Sequence, residues 1–410
     1  MRVVTMKYIE GGVCAAKGFR ASGIHVGVKT SNTDKKDLAL IAADCDCAAA
    51  AVYTKNVVKA APILITKEHL NNGYARAVIA NSGNANACAP NGEENARQMC
   101  RAAASALGLK ETDVIVASTG VIGQELPVET IENGTAELVS QLSYDGSSDA
   151  ASAIMTTDLT MKECAAEFEI SGKTVRIGGI AKGSGMIHPN MGTMLAFLTT
   201  DCAISHPMIE KALAGAANVS FNRISVDGDT STNDMLSLLA SGMAGNDEIT
   251  GPGADYNIFT DALDALCVEL AKMMAADGEG ATHLITCRVS GANSEPEAET
   301  LSKSVISSTL TKAAIFGADA NWGRVLCAMG YSSAGFDPDG VNISFESSGG
   351  RIMVCESGRG LQFDEDMAKK ILTEHDVLID ITLDAGEAGC TCWGCDITYD
   401  YIKINGDYRT

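Results

Sequence analysis

The sequence changes character abruptly at Thr193. Residues 183–192 are rich in glycine, proline and asparagine, whereas residues 194–200 form a largely apolar run that is typical of a buried β-strand. The pattern predicts a loop that enters a strand, with the Thr193 hydroxyl at the first strand position and Gly192, which lacks a side chain, before it. Such a threonine can attack the preceding carbonyl, and the product would be a new N-terminal Thr193 whose amine can act as base for its own hydroxyl. Taken alone, the pair is common, and an ordinary loop entering a strand is the simpler interpretation.

The composition is that of a globular enzyme rather than of a nucleic-acid or membrane protein. The chain has 410 residues, enough for a large core and for two or three domains. Its formal net charge of -21 argues against nucleic acid or an anionic membrane as a partner, because both require clustered lysine and arginine. Residues 1–7 lack the apolar core of a signal peptide, and no run of about 18 apolar residues occurs. We therefore expect a cytoplasmic protein without a transmembrane helix.

The 14 cysteines include pairs with the spacing of metal or redox sites. Cys392 and Cys395 form a C-x-x-C pair, preceded by Cys390, and Cys45 and Cys47 form a second close pair. The C-x-x-C pair precedes a β-like run at 397–401 rather than a helix, and no second C-x-x-C completes a four-ligand zinc site. Reduced thiols pack as small apolar groups, so these residues are predicted to lie in the core, and no metal is predicted.

Other motifs that would indicate a cofactor or a conventional nucleophile are missing. In residues 178–184 the lysine precedes the glycine, so the phosphate-binding loop pattern does not fit. The sequence has neither a G-x-S-x-G nor an H-E-x-x-H motif. His188 is either a base for Thr193 or a loop residue that packs, and we favour packing because the new α-amine makes another base unnecessary. No cofactor is predicted.

Periodicity predicts alternating helices and strands, and hence a mixed, layered α/β protein. The predicted strands are 75–80, 114–117, 167–170, 174–180, 341–345, 351–354 and 377–383. The predicted helices are 93–107, 230–239 and 256–276. The last of these places Phe259, Leu263, Leu266, Leu270 and Met273 on one face and ends at a glycine just before Glu279.

Many segments of the chain, in order, resemble those of one enzyme family. They are GGV at 11–13, KGF at 17–19, GIH at 23–25, DLALI at 37–41, AVYTKN at 51–56, NSGNANAC at 81–88, KGSGMIHPNMGTMLAFLTTD at 182–201, SVDGDTSTND at 225–234, DGEGAT at 277–282, GADANWGR at 317–324, WGCD at 393–396 and NGDYRT at 405–410. By these motifs the chain resembles the ornithine acetyltransferase (ArgJ) family, the glutamate N-acetyltransferases of arginine biosynthesis.

The resemblance implies a particular fold and a maturation step. The family adopts its own α/β fold, in which strands from both sides of a self-cleavage point interleave. Cleavage between Gly192 and Thr193 would give an α chain, 1–192, and a β chain, 193–410, and the family assembles as two copies of each.

The resemblance also implies the reaction and the residues that perform it. The family moves an acetyl group from N-acetylornithine to glutamate through an ester on the N-terminal threonine, here Thr193. The Thr119 hydroxyl and the Gly120 N–H correspond to the donors that stabilise the oxyanion. The implied substrate-binding residues are one of Thr156 and Thr157, with Thr156 favoured, and Lys182, Thr193, Glu279, Asn405 and Thr410. Lys182 suits the substrate carboxylate and Glu279 the distal ammonium of ornithine.

Two other functions stay open at this point. An aminopeptidase or amidase on a related N-terminal-nucleophile scaffold would pass the acyl group to water. A binding or regulatory protein on this scaffold would leave the chain uncut. Three positions depart from the family pattern, namely Gly192 in place of alanine, His283 where a basic residue is usual, and Gly406 after Asn405. Whether acetyl-CoA also serves as an acetyl donor is not decided by any motif.

Overall fold

The computed structural model describes residues 6–29, 33–188 and 194–406, and these form two compact units. The first unit contains the described residues up to Gly183, those from Met194 to Asn222, and Thr230–Ala271. The second contains Ser184–His188, Arg223–Asp229 and the described residues from Lys272 onward. The predicted cleavage point at 192/193, with the rest of 189–193, lies outside the described residues, as do residues 1–5, 30–32 and 407–410.

Both units combine strands with helices, as predicted. The strands of the described residues are β1 Lys7–Ile9, β2 Phe19–Ile24, β3 Leu38–Tyr53, β4 Tyr74–Asn81, β5 Val114–Ser118, β6 Lys162–Ile170, β7 Lys173–Lys182, β8 Leu195–Thr200, β9 Ile224–Ser225, β10 Met235–Ala240, β11 Leu284–Ala292, β12 Asn342–Ser347, β13 Gly350–Glu356, β14 Arg359–Gly360, β15 Asp376–Thr382 and β16 Ala388–Cys395. The helices are α1 Ala61–His69, α2 Gly92–Leu107, α3 Val128–Ser140, α4 Ser147–Ile154, α5 His206–Val219, α6 Ala254–Ala276, α7 Glu295–Ser307, α8 Thr309–Phe316, α9 Trp322–Gly330, α10 Glu365–Leu372 and α11 Tyr399–Gly406. The mixed, layered α/β class is therefore confirmed.

Strands from both sides of the predicted cleavage point interleave in the sheet of the first unit. Its strand order is β1-β6-β7-β8-β10-β3-β4-β5, with β2 paired to β3. β8 and β10 follow residue 193, yet β8 pairs antiparallel with β7 and β10 pairs antiparallel with β3. β8 and β10 run parallel to each other. The predicted interleaving is confirmed, since two strands from the C-terminal side lie between strands from the N-terminal side.

The strand register aligns the end of β7 with the beginning of β8. Lys182 lies opposite Leu195, Leu195 lies beside Met235, and Met235 lies opposite Tyr53. Every residue of β8 is buried, as expected for a strand covered on both faces. The register therefore brings the last residue of β7 and the first residues of β8 and β10 together at the same end of these three strands.

The sheet folds over on itself. Four strands, β8, β10, β3 and β4, lie between β7, which ends at Lys182, and β5, which is followed by Thr119. In a flat sheet β7 and β5 would be about 24 Å apart. The side chains of Lys182 and Thr119 are nevertheless 3.4 Å apart. The long strand β3 belongs to both halves, pairing with β4 in its first part and with β10 in its last. The enclosed core contains side chains from both halves, including Ile115, Ile180, Phe197 and Leu239.

Helices cover the outer faces of this folded sheet. α1, α2 and α3 contribute Ile65, Met99 and Ile131 to a core with Leu40 and Val116 of the sheet. α5 packs against β3 and β10 on the other half. Because apolar side chains fill both faces of the strands, the loops at the strand ends are left as the places where polar groups can gather.

The second unit contains a mixed sheet of its own. Its strand order is β14-β13-β12-β15-β11-β16-β9. α7 packs on β11 and β16, and α10 on β12 and β13. The shared core includes Leu301, Phe345, Ile371 and Ile379. Among the residues that the structure describes, no helix is long and apolar enough to cross a membrane.

Two sequence predictions of local structure were wrong. Residues 230–239 were predicted to be helical, but 230–234 form a loop and Met235 begins strand β10. A run of Met, Leu, Ser and Ala fits a buried helix or a buried strand by periodicity, and pairing with β3 and β8 decides the outcome here. Residues 397–401 were predicted to be β-like, but helix α11 begins at Tyr399. The Thr398 hydroxyl accepts a hydrogen bond from Asp400 N–H at 3.2 Å, which is the N-capping interaction that starts a helix.

Candidate active site

Lys182 ends β7 with its ammonium directed at two threonine hydroxyls. Its Nζ lies 2.8 Å from Thr156 Oγ1 and 3.4 Å from Thr119 Oγ1. The residue is 7% exposed, so its charge lies in a largely enclosed place. Three of the residues assigned to catalysis or substrate binding by the sequence are therefore brought together, and of the threonine pair it is Thr156 that contacts Lys182. Thr157 is partly buried beside it.

A buried carboxylate supports this cluster. Asp158 Oδ2 lies 3.8 Å from Lys182 Nζ, and Asp158 Oδ1 accepts a hydrogen bond from Lys162 Nζ at 2.7 Å. The side chains of Asp158 and Lys162 have no exposed surface. Burial by itself raises the pKa of Asp158, but the ammonium groups of Lys182 and Lys162 and the hydrogen bonds from Lys162 and from Thr156 N–H together outweigh it. The pKa of Asp158 therefore lies well below its ordinary value, and the group is ionised.

Sequence reasoning missed Asp158 and Lys162. Their i, i+4 spacing is typical of a solvent-exposed pair on a helix. Asp158 lies instead in the non-helical segment between α4 and β6, and Lys162 is the first residue of β6. The one available signal was the position of Asp158 directly after the threonine pair 156–157, which the family resemblance had already marked.

The Thr119-Gly120 turn is fixed against the loop that follows β4. Gly120 has φ +136°, and a Cβ at this position would lie 2.3 Å from the carbonyl carbon of Gly83 and 2.5 Å from the nitrogen of Asn84. Only glycine permits this approach of the two backbones. Thr119 N–H donates to the carbonyl of Asn81 at 3.0 Å, which holds the turn to the end of β4.

Buried asparagine side chains hold the loops around this turn. Asn233 Nδ2 donates to the carbonyls of Ser118 at 2.8 Å and Ala85 at 2.6 Å. Asn81 Oδ1 accepts from the Ser118 hydroxyl at 2.6 Å. An asparagine side chain can bond several polar groups at once, so Asn81 and Asn233 together support the turn.

A second group of predicted residues lies in the second unit. Glu279, just after α6, is 6% exposed, and its Oε2 accepts a hydrogen bond from Asn405 Nδ2 at 2.7 Å. Its backbone N–H donates to the Ser184 carbonyl at 2.9 Å. Gly185 packs against its carboxyl, because a Cβ there would lie 2.4 Å from the carboxyl carbon. Glu279 and Asn405 thus form a second cluster of predicted substrate-binding residues.

Asp227 of the SVDGDTSTND motif holds the loop at 186–187. It accepts hydrogen bonds from the backbone N–H groups of Met186 and, at 2.9 Å, of Ile187. Tyr401 also approaches the same carboxyl at 3.4 Å. Burial raises the pKa of Asp227, partly offset by these backbone hydrogen bonds. Asp227 therefore fixes the backbone at residues 186–187.

Asp234, the last residue of the same motif, lies where β10 begins. It is 3% exposed, its carboxyl accepts a hydrogen bond from Met194 N–H, and its backbone carbonyl accepts from Thr54 N–H at 3.1 Å. Its Oδ2 has no hydrogen-bond partner among the described residues. Burial raises the pKa of Asp234 well above its ordinary value, and the hydrogen bond from Met194 N–H offsets only part of that rise.

His188 and His283 are held by interactions within the second unit. His188 Nδ1 lies 3.0 Å from Ser225 Oγ, and burial, together with Lys303 and Lys312, lowers the pKa of His188 to about 4. His283 Nδ1 lies 2.9 Å from Asp396 Oδ2. Partial burial and a polar partner are what the packing interpretation of His188 predicts.

The close cysteine pairs lie in strands and belong to no metal cluster in the described part of the chain. Cys390 and Cys392 contribute to the core of the second unit, together with Cys287 from the neighbouring strand. Cys392 and Cys395 are three positions apart in β16, so they point to opposite faces and cannot join in a disulfide. Among the described residues, no group of three or more His, Cys, Asp or Glu side chains could hold a metal ion.

The remaining predicted site residues lie outside the described residues. They are Gly192, Thr193 and Thr410. Gly406, one of the three departures from the family pattern, has open space around its Cα.

Comparison with known proteins gives matches along nearly the whole sequence. The model of the ArgJ family matches residues 20–410. The arginine biosynthesis bifunctional protein ArgJ of Symbiobacterium thermophilum is 50% identical over 406 residues, which cover 99% of this chain and 100% of that protein. A crystal structure of the arginine biosynthesis bifunctional protein ArgJ of Bacillus halodurans also matches, with 44% identity and a TM-score of 0.49. That match covers 51% of this chain and 97% of the B. halodurans chain. The ornithine acetyltransferase of Mycobacterium tuberculosis, solved in complex with ornithine, is 38% identical with a TM-score of 0.42, covering 45% of this chain and 99% of that one.

Proposed function

The chain belongs to the ArgJ family, and we propose that it is an acetyltransferase that moves an acetyl group from N-acetylornithine to glutamate. The products are ornithine and N-acetylglutamate. The observation that carries the proposal is the Lys182 cluster, in which a buried ammonium contacts the hydroxyls of Thr119 and Thr156 beside the Gly120 turn. An enclosed cation with hydroxyl donors beside it suits a ligand that carries a carboxylate and a carbonyl group.

We propose that the enzyme first cleaves itself between Gly192 and Thr193. Thr193 Oγ attacks the Gly192 carbonyl carbon, the peptide C–N bond breaks, and water hydrolyses the resulting ester. Gly192 then ends the α chain with a carboxylate, and Thr193 begins the β chain with a free amine. The contacts on either side support this step, because Asp227 holds the backbone at Met186 and Ile187 while Asp234 holds that at Met194.

Acetyl transfer then proceeds in two halves. The Thr193 amine takes the proton of Oγ as Oγ attacks the acetyl carbonyl of N-acetylornithine. The C–N bond to ornithine breaks, the proton passes to the leaving amine, and the acetyl group remains on Thr193 as an ester. The amine of glutamate attacks this ester, N-acetylglutamate leaves, and Oγ regains a proton. An α-amine with a pKa of about 8 has a useful neutral fraction at cellular pH.

Other residues bind the substrate and stabilise charge. The Thr119 hydroxyl and the Gly120 N–H donate to the oxyanion of each tetrahedral intermediate. Lys182 and Thr156 bind the substrate carboxylate, and Glu279 accepts the distal ammonium of ornithine. Asn405 supports the latter role, since its amide already contacts the Glu279 carboxylate at 2.7 Å. Thr156 rather than Thr157 is the member of the pair that we propose binds substrate, since it contacts Lys182, and Thr410 completes the proposed substrate-binding set.

We propose that the mature enzyme consists of two α and two β chains and acts in the cytoplasm. The first part extends the family's assembly to this chain, and the second follows from the place of the reaction in amino-acid biosynthesis. The name of the S. thermophilum relative describes it as bifunctional. A second activity here would be acetylation of glutamate by acetyl-CoA through the same Thr193 ester.

A transfer assay tests the proposed function. Purified enzyme is incubated with N-acetylornithine and isotopically labelled glutamate, and labelled N-acetylglutamate is measured by mass spectrometry. We expect one N-acetylglutamate for each ornithine released, and no product with the Thr193→Ala variant. Release of ornithine and free acetate without N-acetylglutamate would instead indicate an amidase. Parallel reactions with acetyl-CoA in place of N-acetylornithine measure the second activity.

A further inference from the structure

We propose that Asp158 is a positioning residue for acetyl transfer. Asp158 holds the Lys182 ammonium, and the ammonium in turn orients the Thr119 hydroxyl so that its proton points at the oxyanion. The inference rests on the proposed function. It adds to a substrate-binding role for Lys182 a role in orienting the oxyanion donor, and it assigns a function to Asp158 and Lys162.

The hydrogen bonds between Lys182 and the two threonine hydroxyls can run in one direction only. A lysine ammonium carries three donors and no acceptor. Thr156 Oγ1, at 2.8 Å, and Thr119 Oγ1, at 3.4 Å, must therefore accept from Lys182 Nζ. Each hydroxyl has a single proton, which then points away from the lysine. A contact with Lys182 thus turns Thr119 into a donor toward whatever lies on its other side.

The Asp158 carboxylate lies beside both Lys182 and its neighbours. Asp158 Oδ2 lies 3.8 Å from Lys182 Nζ and also accepts from Thr156 N–H at 3.0 Å. Asp158 Oδ1 accepts from Gly183 N–H at 2.6 Å. The carboxylate therefore binds the backbone of Thr156 and of Gly183, the residue after Lys182. Its position is fixed relative to Lys182 and Thr156.

The Asp158 carboxylate has a buried counter-charge in Lys162. Lys162 Nζ lies 2.7 Å from Asp158 Oδ1, and both side chains have no exposed surface. A buried carboxylate stays ionised when it has such a partner. Because Lys162 forms the close ion pair with Asp158, the shorter contacts of Lys182 are to the hydroxyls rather than to the carboxylate.

A double-mutant cycle tests this coupling. One arm is the pair Asp158→Asn and Lys162→Met, which removes the buried carboxylate and its counter-charge together. The other is Thr119→Val, which removes the hydroxyl. The readout is the rate constant of Thr193 acetylation in a single turnover at saturating N-acetylornithine, measured by intact mass and normalised to the cleaved fraction in the same spectrum.

We expect the Asp158/Lys162 pair to lower this rate constant by at least about tenfold when Thr119 is present, and by less than about twofold in the Thr119→Val background. Equal fold-losses in both backgrounds would overturn the proposal, as would a change confined to the concentration of N-acetylornithine at half-saturation. The matched control is Asp201→Asn, since Asp201 is also buried in the first unit but lies just after the opposite end of β8. This control should leave the saturating rate unchanged.

A second pair of variants keeps the test valid if the Asp158/Lys162 variant does not fold. Lys182→Arg retains a side chain that only donates, whereas Lys182→Gln can both donate and accept. We expect the arginine variant to retain at least about ten times more of the saturating acetylation rate than the glutamine variant. Equal rates would overturn the proposal. If the wild-type enzyme itself is not acetylated by N-acetylornithine, the proposed function fails instead, which separates the two outcomes.

Discussion

At the scale of single residues, the candidate site depends on side chains whose hydrogen-bonding roles are fixed by burial. Lys182 can only donate hydrogen bonds, and ionised Asp158 can only accept them. At position 120 only glycine fits against the backbone of Gly83 and Asn84. The family resemblance identified Lys182 and Gly120 but not Asp158 or Lys162. Their burial depends on how the segment before β6 packs, and neither periodicity nor spacing carries that information.

Gly120→Ala tests the backbone requirement at the turn. The added Cβ would lie 2.3 Å from the Gly83 carbonyl carbon, so the turn must shift and the Gly120 N–H with it. We expect the single-turnover acetylation rate to fall by about 100-fold or more, with a lower melting temperature. Gly123→Ala is the matched control, because Gly123 also has a positive φ, +82°, but has nothing within 4 Å of the added Cβ. Similar rates for both variants would contradict the assignment.

The pH dependence of stability tests the environment of His188. Its pKa in the folded protein is lowered to about 4 by burial, with added repulsion from Lys303 and Lys312, whereas in the unfolded chain it is about 6.5. Between about pH 4 and 6.5 the unfolded state therefore binds more protons than the folded state. The free energy of unfolding is therefore undiminished by this histidine above about pH 6.5, and it decreases as the pH falls toward 4.

His188→Gln should make the free energy of unfolding fall less steeply with acid over this range. The measurement is urea unfolding at a series of pH values between 7 and 4. The matched control is His375→Gln, since the His375 side chain is 61% exposed. An unchanged slope for His188→Gln would show that the histidine is not held neutral in the folded protein.

At the scale of elements, periodicity predicted the long helices but not the short buried strand β10. Helices α2 and α6 were predicted within two residues of their observed bounds, because apolar side chains recur on one face. The predicted face of α6 is buried at Phe259, Leu263, Leu266 and Leu270, whereas Met274 rather than Met273 is fully buried near its end. β10 is six residues long and buried throughout, so the partner strands decide its conformation.

The cysteines should behave as free thiols of a reduced core. All 14 are unpaired in the structure, and only Cys88 and Cys327 among them are exposed. Burial raises the pKa of Cys14 to about 12 and raises that of Cys287 as well, which makes both unreactive. We expect a thiol reagent to label two cysteines rapidly in the native protein and 14 in urea without reductant. Fewer than 14 in urea would indicate a disulfide.

At the scale of the whole molecule, the strand order explains how a cut chain can remain folded. β8 and β10 follow the proposed cleavage point, yet they pair with β7 and β3, which precede it. Every residue of β8 and β10 is buried, so separating the fragments would expose the core of the first unit. The sequence predicted this interleaving only through its family resemblance, because hydrogen bonding between distant strands leaves no local pattern.

The intact mass of the purified protein shows whether Thr193 becomes a self-generated N-terminal nucleophile. Under denaturing conditions we expect two polypeptides with the masses of 1–192 and 193–410, and under native conditions a single species that contains both. The Thr193→Ala variant should give one uncut chain under both conditions. A single uncut chain from the wild-type protein would contradict the mechanism and favour a binding protein on this scaffold.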